Sequence, residues 1–280
     1  MAAAAAVVVR QVWESNLAEE FNLIERCAKE FQLVSMDTEF PGTVFSTKHT
    51  YSSLSPTQHY SLMKNNVDVL NIIQIGLTLS DVDGNLPRFG TEFQHVWEFN
   101  FRDFDADNDL RNPDSISLLR RQGIDFVKNK REGIDSREFV WCFLNSWLGP
   151  RSSGRAWITF HGLYDFGFLI KIITRKELPD DLNDFMMLVQ YYFGMQVYDL
   201  KPIAHAVGLL GGLEKVAKGL SLDRAAGKSH QAGSDSLLTM HAFLRLVINK
   251  CSCATCSCHS TSLLLRFNYM LYGLTCKLSH

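Results

Sequence analysis

Leu33–Gly42 reads LVSMDTEFPG, an apolar run that ends in two acids, a phenylalanine and a Pro-Gly turn. A short apolar run bounded by turn residues reads as a buried strand. Side chains on a strand alternate with a period of two, so Asp37 and Glu39 point to the same side. Two later stretches also bring acids to apolar segments. In Phe160–Lys171, FHGLYDFGFLIK, Asp165 follows Tyr164 at the opening of an amphipathic helix, and in Gly227–Leu238, GKSHQAGSDSLL, His230 and Asp235 open another. Carboxylates that converge in a partly buried cleft repel one another and lose hydration unless cations hold them. Ligation by oxygen alone favours Mg2+ or Mn2+.

A single D-x-E is a common coincidence, and solvated acids at strand ends are its ordinary explanation. The combination of D-x-E on an early strand, an aromatic-Asp pair on a helix and H-x-x-x-x-D on a late helix is the DEDD nuclease pattern of the histidine subtype. Asp37, Glu39, Asp165 and Asp235 supply enough oxygens for two divalent cations. Such a pair suits phosphodiester hydrolysis, because one ion activates water while the other stabilises the leaving oxygen. Histidine has an ordinary pKa near 6.5 and can take a proton from water at neutral pH, which makes His230 the candidate general base. His161 precedes Asp165 and is read as a strand-end residue that orients the loop. Phe40 and Phe166 flank the carboxylates, where aromatic rings either stack on RNA bases or belong to the core.

The segments VWESNLAEE, MDTEFPG, IIQIGLTL, FHGLYDFGFLIKI, YDLK, GGLEKVA and HQAGSDSLLT, spread from Val12 to Leu246, resemble the carbon catabolite repressor 4 associated factor 1 family. Its members are the small poly(A)-specific ribonuclease subunits of the CCR-NOT complex. The resemblance implies a ribonuclease H-like α/β fold of DEDD exonuclease type, with a mixed central sheet flanked by helices. It implies 3′-5′ shortening of poly(A) RNA with release of 5′-AMP. It implies further that Asp37 bridges both ions, that Glu39 and Asp235 hold the first and that Asp165 reaches the second through water. Asp199 in YDLK falls among structural residues. The NOT scaffold is the expected partner, a second deadenylase subunit is a further candidate, and the expected location is nucleus and cytoplasm, including processing bodies.

The 280 residues carry 46% hydrophobic side chains, enough for a sizeable core, and no repeat or long Pro/Gly/Ser linker divides them. Residues 1–10 read as a disordered Ala-rich start, 11–250 as the exoribonuclease domain and 251–280 as a Cys-rich C-terminal tail. A net charge of -2 argues against a protein that coats duplex nucleic acid through a broad basic face. The apolar start ends at Arg10, too short for an export signal or a membrane span, so no membrane partner is expected. Cys27 and Cys142 lie in apolar helical patterns and read as free thiols of a reducing compartment. Cys251, Cys253, Cys256 and Cys258, with His259, are too crowded for a folded zinc module and read as an unstructured insertion, with soft-metal binding as the alternative. The LLLRFNYMLYGL that follows is apolar enough to return to the core.

Periodicity predicts helices over 16–30, 135–148, 166–173 and 182–193, and strands over 33–40, 71–80, 93–101, 156–160 and 195–198. Residues 71–80 and 93–101, joined through Asp83-Gly84-Asn85, predict an antiparallel hairpin. Strand and helix alternate after it, as expected of an α/β sandwich with a mixed sheet. The helix around Phe139, Val140, Phe143 and Leu148 carries more apolar surface than one face needs. The surplus, Trp141, Leu144 and Trp147, is either a docking surface for a partner or a wide core stripe. By resemblance this region meets the NOT scaffold. Two other functions stay open: a DEDD exonuclease on other RNA or DNA, and a non-catalytic scaffold subunit that retains the fold. A scaffold has no need of a costly anionic cleft, which speaks against the last.

Overall fold

The computed structural model describes residues 5–48, 50, 53–248 and 264–274. The LVSMDTE segment forms β2 (Leu33–Glu39), and the sheet grows outward from it. On one side lies β3 (Gln74–Ser80), antiparallel, and on the other β5 (Ala156–Thr159), parallel. Then β4 (Gln94–Asn100) pairs antiparallel with β3, β1 (Val7–Val12) parallel with β4, and β6 (Val197–Asp199) parallel with β5. The resulting order, β1-β4-β3-β2-β5-β6, is the mixed sheet that the sequence predicts. The β3–β4 pair is the expected hairpin, and Asp81 Oδ1 closes its turn by accepting the N–H groups of Asp83 and Asn85.

The period of two sorts the sheet into two chemically different faces. Val34 and Met36 of β2 join Ile75, Leu77, Leu79, Trp97 and Phe99 in one core. That core is roofed by α1 (Leu17–Cys27), α2 (Pro56–Val69), α5 (Ser136–Asn145), α6 (Leu163–Thr174) and α7 (Leu182–Phe193). Between α2 and α5 in the chain, α3 (Pro113–Gln122) and α4 (Phe126–Glu132) close a smaller cluster around Ile73 and Phe104. The opposite face carries Ser35, Asp37 and Glu39, with Thr78, Gly76 and Gln74 as their partners on β3. After the short α8 (Leu200–Ala206) and α9 (Leu213–Gly219), α10 (Ala232–Phe243) covers this face: the Ser236 carbonyl accepts from Ser35 Oγ at 2.7 Å, and the Ser236 Oγ lies 2.9 Å from Thr78 Oγ1. A polar sheet face buried under a small-residue helix is where the site lies.

One domain boundary differs from expectation. The disordered start assigned to residues 1–10 is overturned for Val7–Arg10, which pair with Gln94–Trp97 as the first part of β1. Consecutive valines favour a strand, and Arg10 is fixed by an ion pair to buried Glu20 at 2.6 Å. At the other end the tail does return to the core, with Phe267 and Leu271 buried and the Tyr272 N–H bonded to Asp199. The cysteine cluster Cys251–Cys258 lies outside the described residues. Cys27 is buried and free, its thiol pushed up to about 12 by burial, while free Cys142 is half-buried. Among the described residues no helix is long and apolar enough to cross a membrane.

Candidate metal centre and active site

Asp37 and Glu39 stand on the last turn of the pleat in β2, at the end where that strand gives way to Phe40 and Pro41. Their helix-borne counterparts arrive from both faces of the sheet. From the apolar side comes Asp165, in the first turn of α6, whose Oδ1 accepts from Thr38 Oγ1 at 2.6 Å. From the polar side comes Asp235, in the first turn of α10. The approach of α10 depends on Gly76: a Cβ there would lie 1.9 Å from the Ala232 carbonyl oxygen. Just before α10, His230 adopts a left-handed backbone (φ 60°), and its N–H reaches back to Asp235 Oδ2 at 3.0 Å.

Glu39, His230 and Asp235 thereby offer ligand atoms that all lie within 4.8 Å of one another, with the two acids buried and His230 exposed at the rim. Asp37 and Asp165 fall outside that tight group but within its electrostatic reach. Burial pushes the Asp37 and Glu39 carboxyls well above the usual range, and the charges of Asp235 and Asp165 push them further. Asp165 is pushed up to about 7, mainly by burial, against the opposing hydrogen bonds from Thr38. Asp235 is raised by burial while Arg224 pulls the other way. Such a set is strained when ionised, and a bound cation relieves it.

The donor set fits divalent metal. Asp235 is buried, and the partner of its Oδ1 is Arg224 Nη2 at 2.6 Å, while Asp37, Glu39 and Asp165 have no such cation beside them among the described residues. One guanidinium facing four carboxylates leaves the cleft strongly anionic. Arg224, which sequence reasoning missed, also binds Glu214 and donates to Ser234 Oγ at 2.5 Å, tying the preceding loop to α10. Glu98 was missed as well. The alternation in VWEFN places it on the polar face, and that was the signal available.

The remaining candidates separate clearly. Phe166 is wholly buried and packs edge-on against Phe193 at 4.9 Å, so its assignment to RNA contact is overturned. One helical step turns it away from Asp165 and into the core. Phe40 is half-buried beside Glu39, one ring face stacked on Tyr164 at 5.2 Å. Asp199 accepts the N–H groups of His161, Gly162, Lys201 and Tyr272, which makes it the knot of the β5–α6 corner. His161 sits within that knot, held uncharged by burial with a value lowered to about 3. Trp141 on α5 is 69% exposed, whereas Leu144 on the same helix is half-buried, as is Trp147 in the turn after the helix ends at Asn145, short of the predicted 148.

Known proteins share this sequence pattern and fold. Residues 12–138 match the model of the CAF1 family ribonucleases. A probable CCR4-associated factor 1 homolog (homolog 10) of Arabidopsis thaliana is 44% identical over 86% of this chain and 86% of its own length. Poly(A) ribonuclease pop2 of Schizosaccharomyces pombe is 41% identical over 85% of this chain and 69% of its own. The solved structure of S. pombe Pop2p with Mg2+ and Mn2+ bound superposes with a TM-score of 0.82 at 38% identity, covering 95% of this chain and 99% of that one. Yeast CAF1 co-crystallised with the NOT1 MIF4G domain gives 0.68 at 34% identity, covering 87% and 89%. The fold is therefore ribonuclease H-like, and the chain belongs to the CAF1 ribonuclease family.

Proposed function

We propose that the protein is a divalent-cation-dependent 3′-5′ exoribonuclease that shortens the poly(A) tail of messenger RNA, releasing 5′-AMP, as the catalytic subunit of a CCR-NOT complex. The observation that carries this reading is the meeting of Asp37, Glu39, Asp165, His230 and Asp235 at one end of β2. In it, Asp37, Glu39, Asp165 and Asp235 hold two cations, Mg2+ or Mn2+. Bound there, the cations activate water and stabilise the leaving oxygen of a phosphodiester. His230, exposed at the rim, receives the proton at a ring nitrogen. Arg224 keeps Asp235 turned into the cleft, and the uncovered part of Phe40 stacks on the terminal base.

Support for the substrate comes from the name of the S. pombe relative, a poly(A) ribonuclease, and for the cation from the Mg2+ and Mn2+ in the Pop2p structure. The test is trimming of a 5′-labelled RNA with an adenylate tail, with and without Mg2+, beside uridylate and cytidylate tails and single-stranded DNA. Faster loss of adenylate that needs Mg2+ is expected. Equal rates on all three RNA tails assign poly(A) choice to a partner, and absence of any trimming leaves a scaffold.

The partner reading rests on the exposed Trp141 of α5 and on the NOT1 complex of yeast CAF1. A buried aromatic anchor at an interface is worth at least about 2 kcal/mol. Trp141→Asp should therefore weaken pull-down by the NOT scaffold at least tenfold while trimming by the isolated protein is unchanged. Undiminished binding moves the interface elsewhere.

A further inference from the structure

The first turn of α10 carries Asp235, yet Gln231 at its N-cap makes no side-chain cap. The Gln231 amide is spent elsewhere, on the Gln122 carbonyl at 3.0 Å. The free N–H groups of a helix start need acceptors, and here the sheet provides them. Gln74 Oε1 accepts from Ala232 at 3.4 Å, and Glu98 Oε2 accepts from Gly233 at 2.9 Å. Glu98 and Gly76 are cross-strand partners, so the helix settles over the glycine and onto the carboxylate beside it.

Glu98 is 3% exposed, and its other oxygen accepts from Gln11 Nε2 at 2.9 Å and Gln74 Nε2 at 3.2 Å. Both amides are locked in turn by Asn100, which accepts from Gln74 at 2.7 Å and donates to Gln11 at 3.1 Å. Every one of these groups offers Glu98 an N–H and none offers it an acceptor. Burial raises the Glu98 carboxyl above its ordinary value, while the hydrogen bonds from Gln11, Gly233 and Gln74 pull the other way. A protonated acid would turn its O–H against one of these donors, so the arrangement favours the carboxylate. No Lys, Arg or His forms an ion pair with it among the described residues. A buried anion without a counter-charge is costly, and this one lies beside the anionic cleft.

We propose that Glu98 is a positioning residue of the cation site: it fastens the first turn of α10 to the sheet, so fixing Asp235 and His230 over β2, and its unpaired negative charge strengthens the hold on a divalent cation. The inference rests on the cation site proposed above, and the experiment separates the two. Mn2+ binding to the full chain is measured by calorimetry without RNA, for the wild type, Glu98→Gln and Glu98→Asp. A wild type that does not bind Mn2+ removes the site itself.

Where the wild type binds, loss of a group supporting metal ligands typically costs about tenfold or more in affinity, and folded Glu98→Gln should show a loss of that order. Glu98→Asp keeps the charge and should bind more tightly than Glu98→Gln. Wild-type affinity in Glu98→Gln, or the reverse order of the two variants, overturns the inference while leaving the cation site standing. If Glu98→Gln does not fold, Gln74→Leu takes its place, because it spares the charge but removes the amide linking Glu98 to Ala232. Weakened Mn2+ binding is then expected, and unchanged binding overturns the proposal.

Discussion

Replacing Asp37 by Asn removes one charge from a cluster whose members repel each other, and the same holds for Asp235. The shape of the side chain is kept. Loss of a ligand from a two-cation site should lower trimming of an adenylate tail by at least roughly a thousandfold. The metal-free Asp37→Asn protein should meanwhile melt at the same temperature or higher, since a repulsion has gone, whereas Asp235→Asn also gives up the ion pair with Arg224. Trimming within a few fold of wild type, with an intact circular dichroism spectrum, would take either residue out of the mechanism. The two phenylalanines give the opposite pair of outcomes. Phe166→Ala empties a fully buried site and should cost about 3–5 kcal/mol in a denaturant melt. Phe40→Ala, at a half-buried ring packed on Tyr164 and Phe168, should cost less stability than Phe166→Ala and reduce the preference for adenylate. Sequence reading could single out the five candidate residues, three of which the structure gathers as Glu39, His230 and Asp235, because strand period and motif spacing both bear on them. It could not separate Phe40 from Phe166, because adjacency to an acid does not say which way the next side chain turns. Arg224 was hidden for another reason: it meets Asp235 through a loop whose path has no periodic signature.

Among the elements, α10 matters most, and a glycine controls its seat. Gly76 faces the Ala232 carbonyl oxygen so closely that a methyl group would sit 1.9 Å from it and 2.5 Å from the Gly233 nitrogen. Both contacts are backbone, which cannot swing aside as a side chain does. Gly76→Ala should lift the start of α10 off β3 and cost about 1–3 kcal/mol or more, as overpacking does. It should also weaken Mn2+ binding, because Asp235 moves with the helix. A variant that melts and binds as the wild type does would show that the helix seat is adaptable. Elements with a strong period, β2, α5 and α7, were legible in the sequence near their observed bounds. The missed helix α2 begins at Ser55-Pro56-Thr57-Gln58, a capping box in which Ser55 and Gln58 bond reciprocally, and that local signal was available. The strand β1 was less legible, since its first residues continue an alanine run and find their partner only 87 residues later in β4, as Val7 does in Gln94.

For the molecule as a whole, the anionic cleft couples stability to pH and to cation binding. Asp165 has a carboxyl raised by burial from 3.8 to about 7, and Asp37, Glu39 and Asp235 move the same way. A group with a raised value binds more protons folded than unfolded. Its contribution to stability is complete below its unfolded value and fades as pH rises through its folded value, here from about 4 to about 7 for Asp165. His161 acts against this trend, since burial lowers it to about 3 and it favours the folded state more as pH rises towards the ordinary histidine value. The melting curve of the metal-free protein thus mixes two opposing slopes. The increment added by Mn2+ does not, because the histidine background is common to both samples. Cations bind only deprotonated carboxylates and release the protons held there, so the increment should grow between about pH 5 and about pH 8 and level off beyond. Thermal melts at fixed free Mn2+, paired with melts in chelator, read it directly. An increment equal at both ends of that range would mean that these carboxylates do not hold the cation. In Asp165→Asn the growth should be smaller, because one of the titrating groups has been removed.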